Sequence, residues 1–307
     1  MAKTTFSAML AHHMEDESEL RDSKYYPLYS SFKLDGIRGI NRGTGFVVSR
    51  SDKPLPSGYV QSEFRHGELV GLDGELVVRD IRPGFVYKDT FSAVMTYGAT
   101  TPVDWYVFDH ITSNTKPFDV RYEMLKEHLR LYGQENIKLV EQRRVNNWDE
   151  LLMHEREALD AGFEGLVVRR GDVPYKYGRS TGVQQWMVAF VRHATSEVII
   201  EGIYEGLQNT NPAIIDSRGY TTRSSHIAQM VGKDLAGGFH VRDIHTNCQF
   251  KIGVAEGMTL EDRTEVWKNQ EKYVGRISKY KYKPYGMDVA PRQPVMLWGQ
   301  WRDLMDM

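Results

Sequence analysis

Ser31-Phe32-Lys33-Leu34-Asp35-Gly36-Ile37-Arg38-Gly39 is the stretch whose reading decides the rest of the chain. It sets a lysine, an acid, a glycine and an arginine close together along the backbone. A protonated amine is a poor nucleophile, because its lone pair carries the proton. A neighbouring cation and partial desolvation both lower a lysine's pKa and release that lone pair. Arg38 can be that cation, or it can hold a phosphate or a ribose. Gly36 allows a tight turn. Taken alone, the pattern also suits a solvated surface turn.

Three segments downstream change the weighing: Asp73-Gly74-Glu75-Leu76-Val77-Val78, Trp105-Tyr106-Val107-Phe108-Asp109 and Glu164-Gly165-Leu166-Val167-Val168-Arg169. In this order, behind K-x-D-G-x-R, they resemble the covalent nucleotidyltransferases: ATP-dependent DNA ligases, RNA ligases and mRNA capping enzymes. Ser49-Arg50-Ser51-Asp52-Lys53-Pro54, Phe91-Ser92-Ala93-Val94-Met95 and Lys279-Tyr280-Lys281-Tyr282 make the chain more similar to ATP-dependent DNA ligases of the small bacteriophage type. The resemblance implies an α+β protein. A nucleotidyltransferase (adenylation) domain with antiparallel sheets and flanking helices would span 1–193, and an OB-fold β-barrel domain 194–307. It implies ATP and Mg²⁺, or Mn²⁺, as cofactors and nicked double-stranded DNA as partner. The expected state is a monomer in the cytoplasm, the host's if a phage encodes it.

The activity so implied is nick sealing through a lysyl-AMP intermediate on Lys33, flanked in the nucleotide site by Phe32 and Leu34. By resemblance Arg38 contacts ribose or phosphate, Arg50 the phosphates or the nicked strand, and Glu75 the ribose 2′-hydroxyl. Tyr106 and Phe108, two apart in a strand, share a face. One of them would stack on adenine, with Phe108 favoured, although two aromatics in an apolar strand are commonly core. Glu164 is the metal candidate, since Mg²⁺ takes one or two carboxylates plus waters and phosphates. Arg179, in Tyr175-Lys176-Tyr177-Gly178-Arg179-Ser180-Thr181, fits a phosphate or AMP contact.

The family then carries two lysines that hold the α-phosphate, and here Ala189 and Val191 occupy those positions. Neither binds phosphate by charge. That departure keeps two alternatives open: an RNA ligase or other covalent nucleotidyltransferase, and an inactive ATP- and nick-binding variant. In the second domain Lys279, Lys281 and Lys283 share a strand face that suits a DNA backbone. A solvated edge strand guarded by lysines reads the same way.

Short β-rich runs dominate 32–110, and helical periodicity is clearest at 121–132 and 148–161. Asn147 is the expected N-cap of the second helix, with Glu150 as its reciprocal partner. Beyond about 194 five candidate strands surround one helix, capped by Thr259 with Asp262. No P-loop signature occurs. The chain has 307 residues, 41% hydrophobic and 26% charged, as ordinary globular proteins have. One cysteine, Cys248, excludes an internal disulfide and a multi-cysteine zinc site. A net charge of −2 gives no global pull toward nucleic acid, so local basic patches must supply it. No run is long and apolar enough to span a membrane.

Overall fold

In the computed structural model, residues 6–14, 16–79, 86–215, 221–224, 226–284 and 290–302 are described. The chain divides into two compact units, Met1–Val191 and Arg192–Met307. The division falls two residues before the expected one, at the end of a buried strand.

The first unit is built on two five-stranded sheets. In chain order the strands of these two sheets are β1 (His12–His13), β2 (Leu28–Phe32), β3 (Ile37–Asn41), β4 (Val47–Val48), β5 (Leu72–Val78), β6 (Val103–His110), β7 (Ile137–Leu139), β8 (Arg143–Val145), β9 (Gly165–Arg170) and β10 (Met187–Val191). One sheet runs β1-β10-β9-β2-β8 and the other β4-β3-β5-β6-β7. The expectation of antiparallel sheets holds for most pairings, but β1 joins β10, and β7 joins β6, in parallel. The segment from Lys33 to Gly36 carries the chain from one sheet to the other.

Residue alternation explains which faces are covered. Leu166, Val168, Val188 and Phe190 point into a core shared with Leu151 and Ala158 of helix Trp148–Asp160. The second sheet buries Leu72, Leu76, Trp105 and Val107 against Phe118, Tyr122 and Leu125 of helix Phe118–Tyr132. Asn147 caps the first of these helices, its side chain accepting from Glu150 N at 2.9 Å. The reciprocal bond is displaced by one residue: Glu150 accepts from Asn146 N at 2.9 Å.

The second unit is built on a five-stranded antiparallel sheet: β11 (Ala194–Asn209), β12 (Met230–Asp243), β13 (Gln249–Gly253), β14 (Ile277–Lys283) and β15 (Arg292–Arg302), ordered β13-β12-β11-β14-β15. A bridge between Glu256 and Leu297 brings the two ends together, as in an OB-type barrel. Helix Leu260–Lys268 lies between the third and fourth strands, and Thr259 and Asp262 form its full capping box. β14 pairs on both sides, with β11 and β15. It is an interior strand, which removes the guarded-edge reading of its lysines.

Candidate active site

Two neighbouring glycine-lined crossings bring the sequence motifs together. A Cβ on Gly36 would lie 2.1 Å from the carbonyl oxygen of Leu76. Glycine is therefore required there for close approach of two backbones, not for a left-handed turn. Gly165 needs both properties: its φ is +144° and a Cβ would meet Phe190 O at 2.3 Å. Lys33 N donates to Gly165 O at 2.9 Å, so the nucleophile candidate is fastened directly to the Glu164-Gly165 corner.

That fastening sets the central pair. Lys33 Nζ stands 3.0 Å from Glu164 Oε2, with Glu164 buried. Arg38, the cation expected beside the amine, is instead chelated by Asp73 through Nε at 2.5 Å and Nη2 at 2.6 Å. Burial works against the charged form of Arg38, but Asp73, Tyr175 and Glu75 outweigh it and hold its pKa above the ordinary value. The group facing Lys33 is a carboxylate. It is placed to take the proton that the amine must lose before it can attack.

Across the second sheet Arg38, Glu75 and Tyr106 lie in one register row. Burial raises the Glu75 pKa to about 7, against the opposing pull of Arg38 and Lys33. A cavity of about 150 Å³ is lined by Lys33, Arg38, Glu75, Phe108, Val167 and Arg169. A second, of about 190 Å³, is lined by Phe32, Leu34, Tyr106, Val140, His154 and Phe163. Burial, then Arg143, depress the His154 pKa to about 4, so its ring is a neutral wall of that cavity.

The two candidate stacking rings have different surroundings. Phe108 has the Arg38 guanidinium 4.5 Å and the Arg169 guanidinium 4.9 Å from its ring centre. Tyr106 lines the other cavity, beside Phe32, Leu34 and Phe163. Phe108 thus already has two cations against its ring, and Tyr106 does not.

Other expected contacts fall outside the cavities. Arg50 is exposed on a turn. Arg179 is exposed and donates to the Ala11 carbonyl. Ala189 and Val191 do bear on the site. Val167 pairs with Ser31 on one side and Ala189 on the other, and Gly165 pairs with Val191. Residues 189 and 191 therefore share the sheet face of Ser31 and Lys33, with Ala189 4% and Val191 8% exposed. In the second unit Lys279 is exposed, whereas Lys281 is paired with Glu256.

Sequence reasoning missed the network behind Phe108. Asp109, fully buried, accepts from Arg121 Nε at 2.7 Å and Nη2 at 3.0 Å, and from Arg169 Nη1 at 2.8 Å. Burial alone would raise the Asp109 pKa; Arg121 and Arg169 hold it below the usual value. Tyr175 donates to Asp73 Oδ2 at 2.8 Å. Asp73, Asp109 and Arg169 all stand inside the quoted motifs, which was the available signal. Glu164 suits Mg²⁺ by donor chemistry, as one carboxylate beside a charged cavity, and no cluster of three or more His, Cys, Asp or Glu occurs among the described residues.

Comparison with known proteins accords with this geometry. Residues 8–187 match the ATP-dependent DNA ligase domain family. A DNA ligase of Haemophilus influenzae is 28% identical over 159 residues, covering 50% of this chain and 55% of that protein, so the chain spans little more than half of that relative. The Chlorella virus DNA ligase-adenylate structure is 26% identical, covers 96% of this chain and 99% of its own, and superposes with a TM-score of 0.53. A structure from a study of Lig E DNA ligases is 19% identical over 96% of this chain and 99% of its own, with a TM-score of 0.68.

Proposed function

Because the chain belongs to the ATP-dependent DNA ligase domain family, we propose that it seals nicks in duplex DNA with ATP, acting as a cytoplasmic monomer. The observation that carries this reading is the Lys33–Glu164 pair, 3.0 Å apart, at the cavity that Arg38 and Glu75 line. No helix among the described residues is long and apolar enough to cross a membrane.

In this reading the lone pair of Lys33 Nζ attacks the α-phosphorus of ATP. The P–N bond forms, the P–O bond to pyrophosphate breaks, and Glu164 receives the amine's proton. Adenine occupies the cavity of about 190 Å³ against Tyr106. Glu75 accepts from the ribose 2′-hydroxyl, and Arg38 faces ribose or phosphate. An oxygen of the 5′-phosphate at the nick then displaces Lys33, which regains its proton, and the 3′-oxygen finally bonds the 5′-phosphorus as the P–O bond to AMP breaks, its proton passing to solvent. Glu164 would also hold Mg²⁺, or Mn²⁺, which when bound neutralises phosphate charge. The OB-type unit would meet the DNA backbone through Lys279, Lys281 and Lys283. A second reading, an ATP- and nick-binding protein that seals poorly, is favoured by the apolar Ala189 and Val191 on the Lys33 face.

Intact mass after incubation with ATP and Mg²⁺ tests the first step. One AMP is expected on the unaltered chain and none on Lys33→Ala, whose circular dichroism should be unchanged. An adduct that survives Lys33→Ala, mapped to another residue, would end the assignment.

A further inference from the structure

The face that lacks its two expected lysines is not without charge. We propose that Arg169 binds the phosphate being transferred and supplies the cation absent at positions 189 and 191. This rests on the nucleotidyltransferase reading above.

Placement comes first. Gly165, Val167 and Arg169 alternate onto the face that carries Lys33, and Arg169 pairs in register with Met187, two residues from Ala189. Arg169 and Lys33 line the same cavity of about 150 Å³. Arg179, the arginine expected at the phosphate by resemblance, is exposed and donates to a backbone carbonyl.

Hydrogen-bond capacity comes second. Guanidinium carries five N–H donors. Arg121 gives Nε and Nη2 to Asp109, and Nη1 to the carbonyls of Lys116 and Val173. Arg38 is chelated by Asp73. Arg169, 4% exposed, donates Nη1 to Asp109, and among the described residues its buried Nε meets no acceptor. A buried donor without a partner is costly, and a phosphate oxygen would satisfy it.

Charge comes third. Three guanidiniums, Arg38, Arg121 and Arg169, face two aspartates, Asp73 and Asp109, while Lys33 and Glu164 balance each other. Glu75, with its pKa raised to about 7, offsets only part of the surplus at neutral pH. The cavity therefore favours an anion. Phe108 and Phe118, each with its ring centre 4.9 Å from the Arg169 guanidinium, hold that group in place.

The test compares AMP with adenosine by calorimetric titration, so that the phosphate alone is at issue. Arg169→Gln should weaken AMP binding by about tenfold or more, the usual scale for a charged hydrogen bond, and leave adenosine nearly unchanged. Arg169→Lys should recover part of the loss. Adding Ala189→Lys to Arg169→Gln should restore AMP binding, whereas Ala189→Lys alone should add little, its role being filled. Unchanged discrimination between AMP and adenosine in a folded Arg169→Gln chain overturns the proposal. If Arg169→Gln does not fold, Ala189→Lys alone decides, and a large gain in AMP affinity with Arg169 present overturns it. Failure of the unaltered chain to bind either compound would sink the nucleotidyltransferase reading itself.

Discussion

Around Phe108 the side chains of Arg38, Arg121 and Arg169 are 13%, 1% and 5% exposed and are held by Asp73 and Asp109; along β14, Lys279 stands in solvent and Lys281 only partly out of it. Both regions are cationic, but they work differently. A buried guanidinium loses hydration and is tolerable only when its planar fork meets acceptors, so its position is fixed by its partners. An exposed ammonium keeps its water, moves easily, and acts through a field that salt screens. The first arrangement can address one phosphate in one geometry. The second suits a run of phosphates whose register does not matter.

The sharpest way to break the comparison is to remove the anion shared by two buried arginines. Asp109→Ala leaves Arg121 and Arg169 without their carboxylate, and losing one partner of a buried ion pair typically costs about 3–5 kcal/mol. Urea denaturation should show a loss of that order. A loss below about 1 kcal/mol would mean that water reaches these arginines and that the network is no more buried, energetically, than the lysine strand.

Part of this contrast was legible beforehand. K-x-D-G-x-R, D-G-E-L and E-G-L-V are local patterns, and each crosses to its neighbour through a glycine that allows close approach of two backbones. The partners of Asp109 are not local. Arg121 lies 12 and Arg169 60 residues further along, and nothing in either segment announces the pairing. Strand ends suffered for a related reason. β12 runs from Met230 to Asp243, but Gly232, Gly237 and Gly238 interrupt the alternation that would mark its first half as a strand. Its ladder with β11 carries two register shifts in that region. The cations against Phe108 were hidden for the same reason, since Arg38 and Arg169 arrive from other strands.

A middle-sized effect should separate the buried site by pH. In the proposed site Glu75 would accept from a ribose hydroxyl best when ionised, and its pKa stands near 7 because burial outweighs Arg38 and Lys33. The preference for AMP over 2′-deoxy-AMP should therefore grow as pH rises through about 7, and Glu75→Gln should flatten that step. Stability moves the other way. With its folded pKa above the ordinary carboxylate value, Glu75 binds more protons folded than unfolded between about 4.5 and 7. Its burial then costs stability above pH 7, a cost that fades as pH falls through that window. A pH-independent nucleotide preference in the unaltered chain would remove Glu75 from the ribose.

The smallest effects belong to the exposed strand, where they also discriminate most finely. If β14 tracks a DNA backbone, each lysine contributing a phosphate contact adds about 0.9 to the slope of log affinity against log salt. Lys281 is already paired with Glu256, and Glu197 stands opposite Lys279 across the ladder while it engages Arg302. Neutralising Lys279, Lys281 and Lys283 to Gln together should thus flatten the slope by less than three full contacts, and Lys281→Gln alone by less than Lys279→Gln. Glu256→Gln should steepen it, because Lys281 would then be released toward phosphate. AMP attachment to Lys33 should stay constant throughout, measured by intact mass beside the binding curves. A slope indifferent to all four variants would mean that this face does not meet DNA. The β14 lysines would then serve only solubility, and the comparison would contrast a ligand site with a solvated surface.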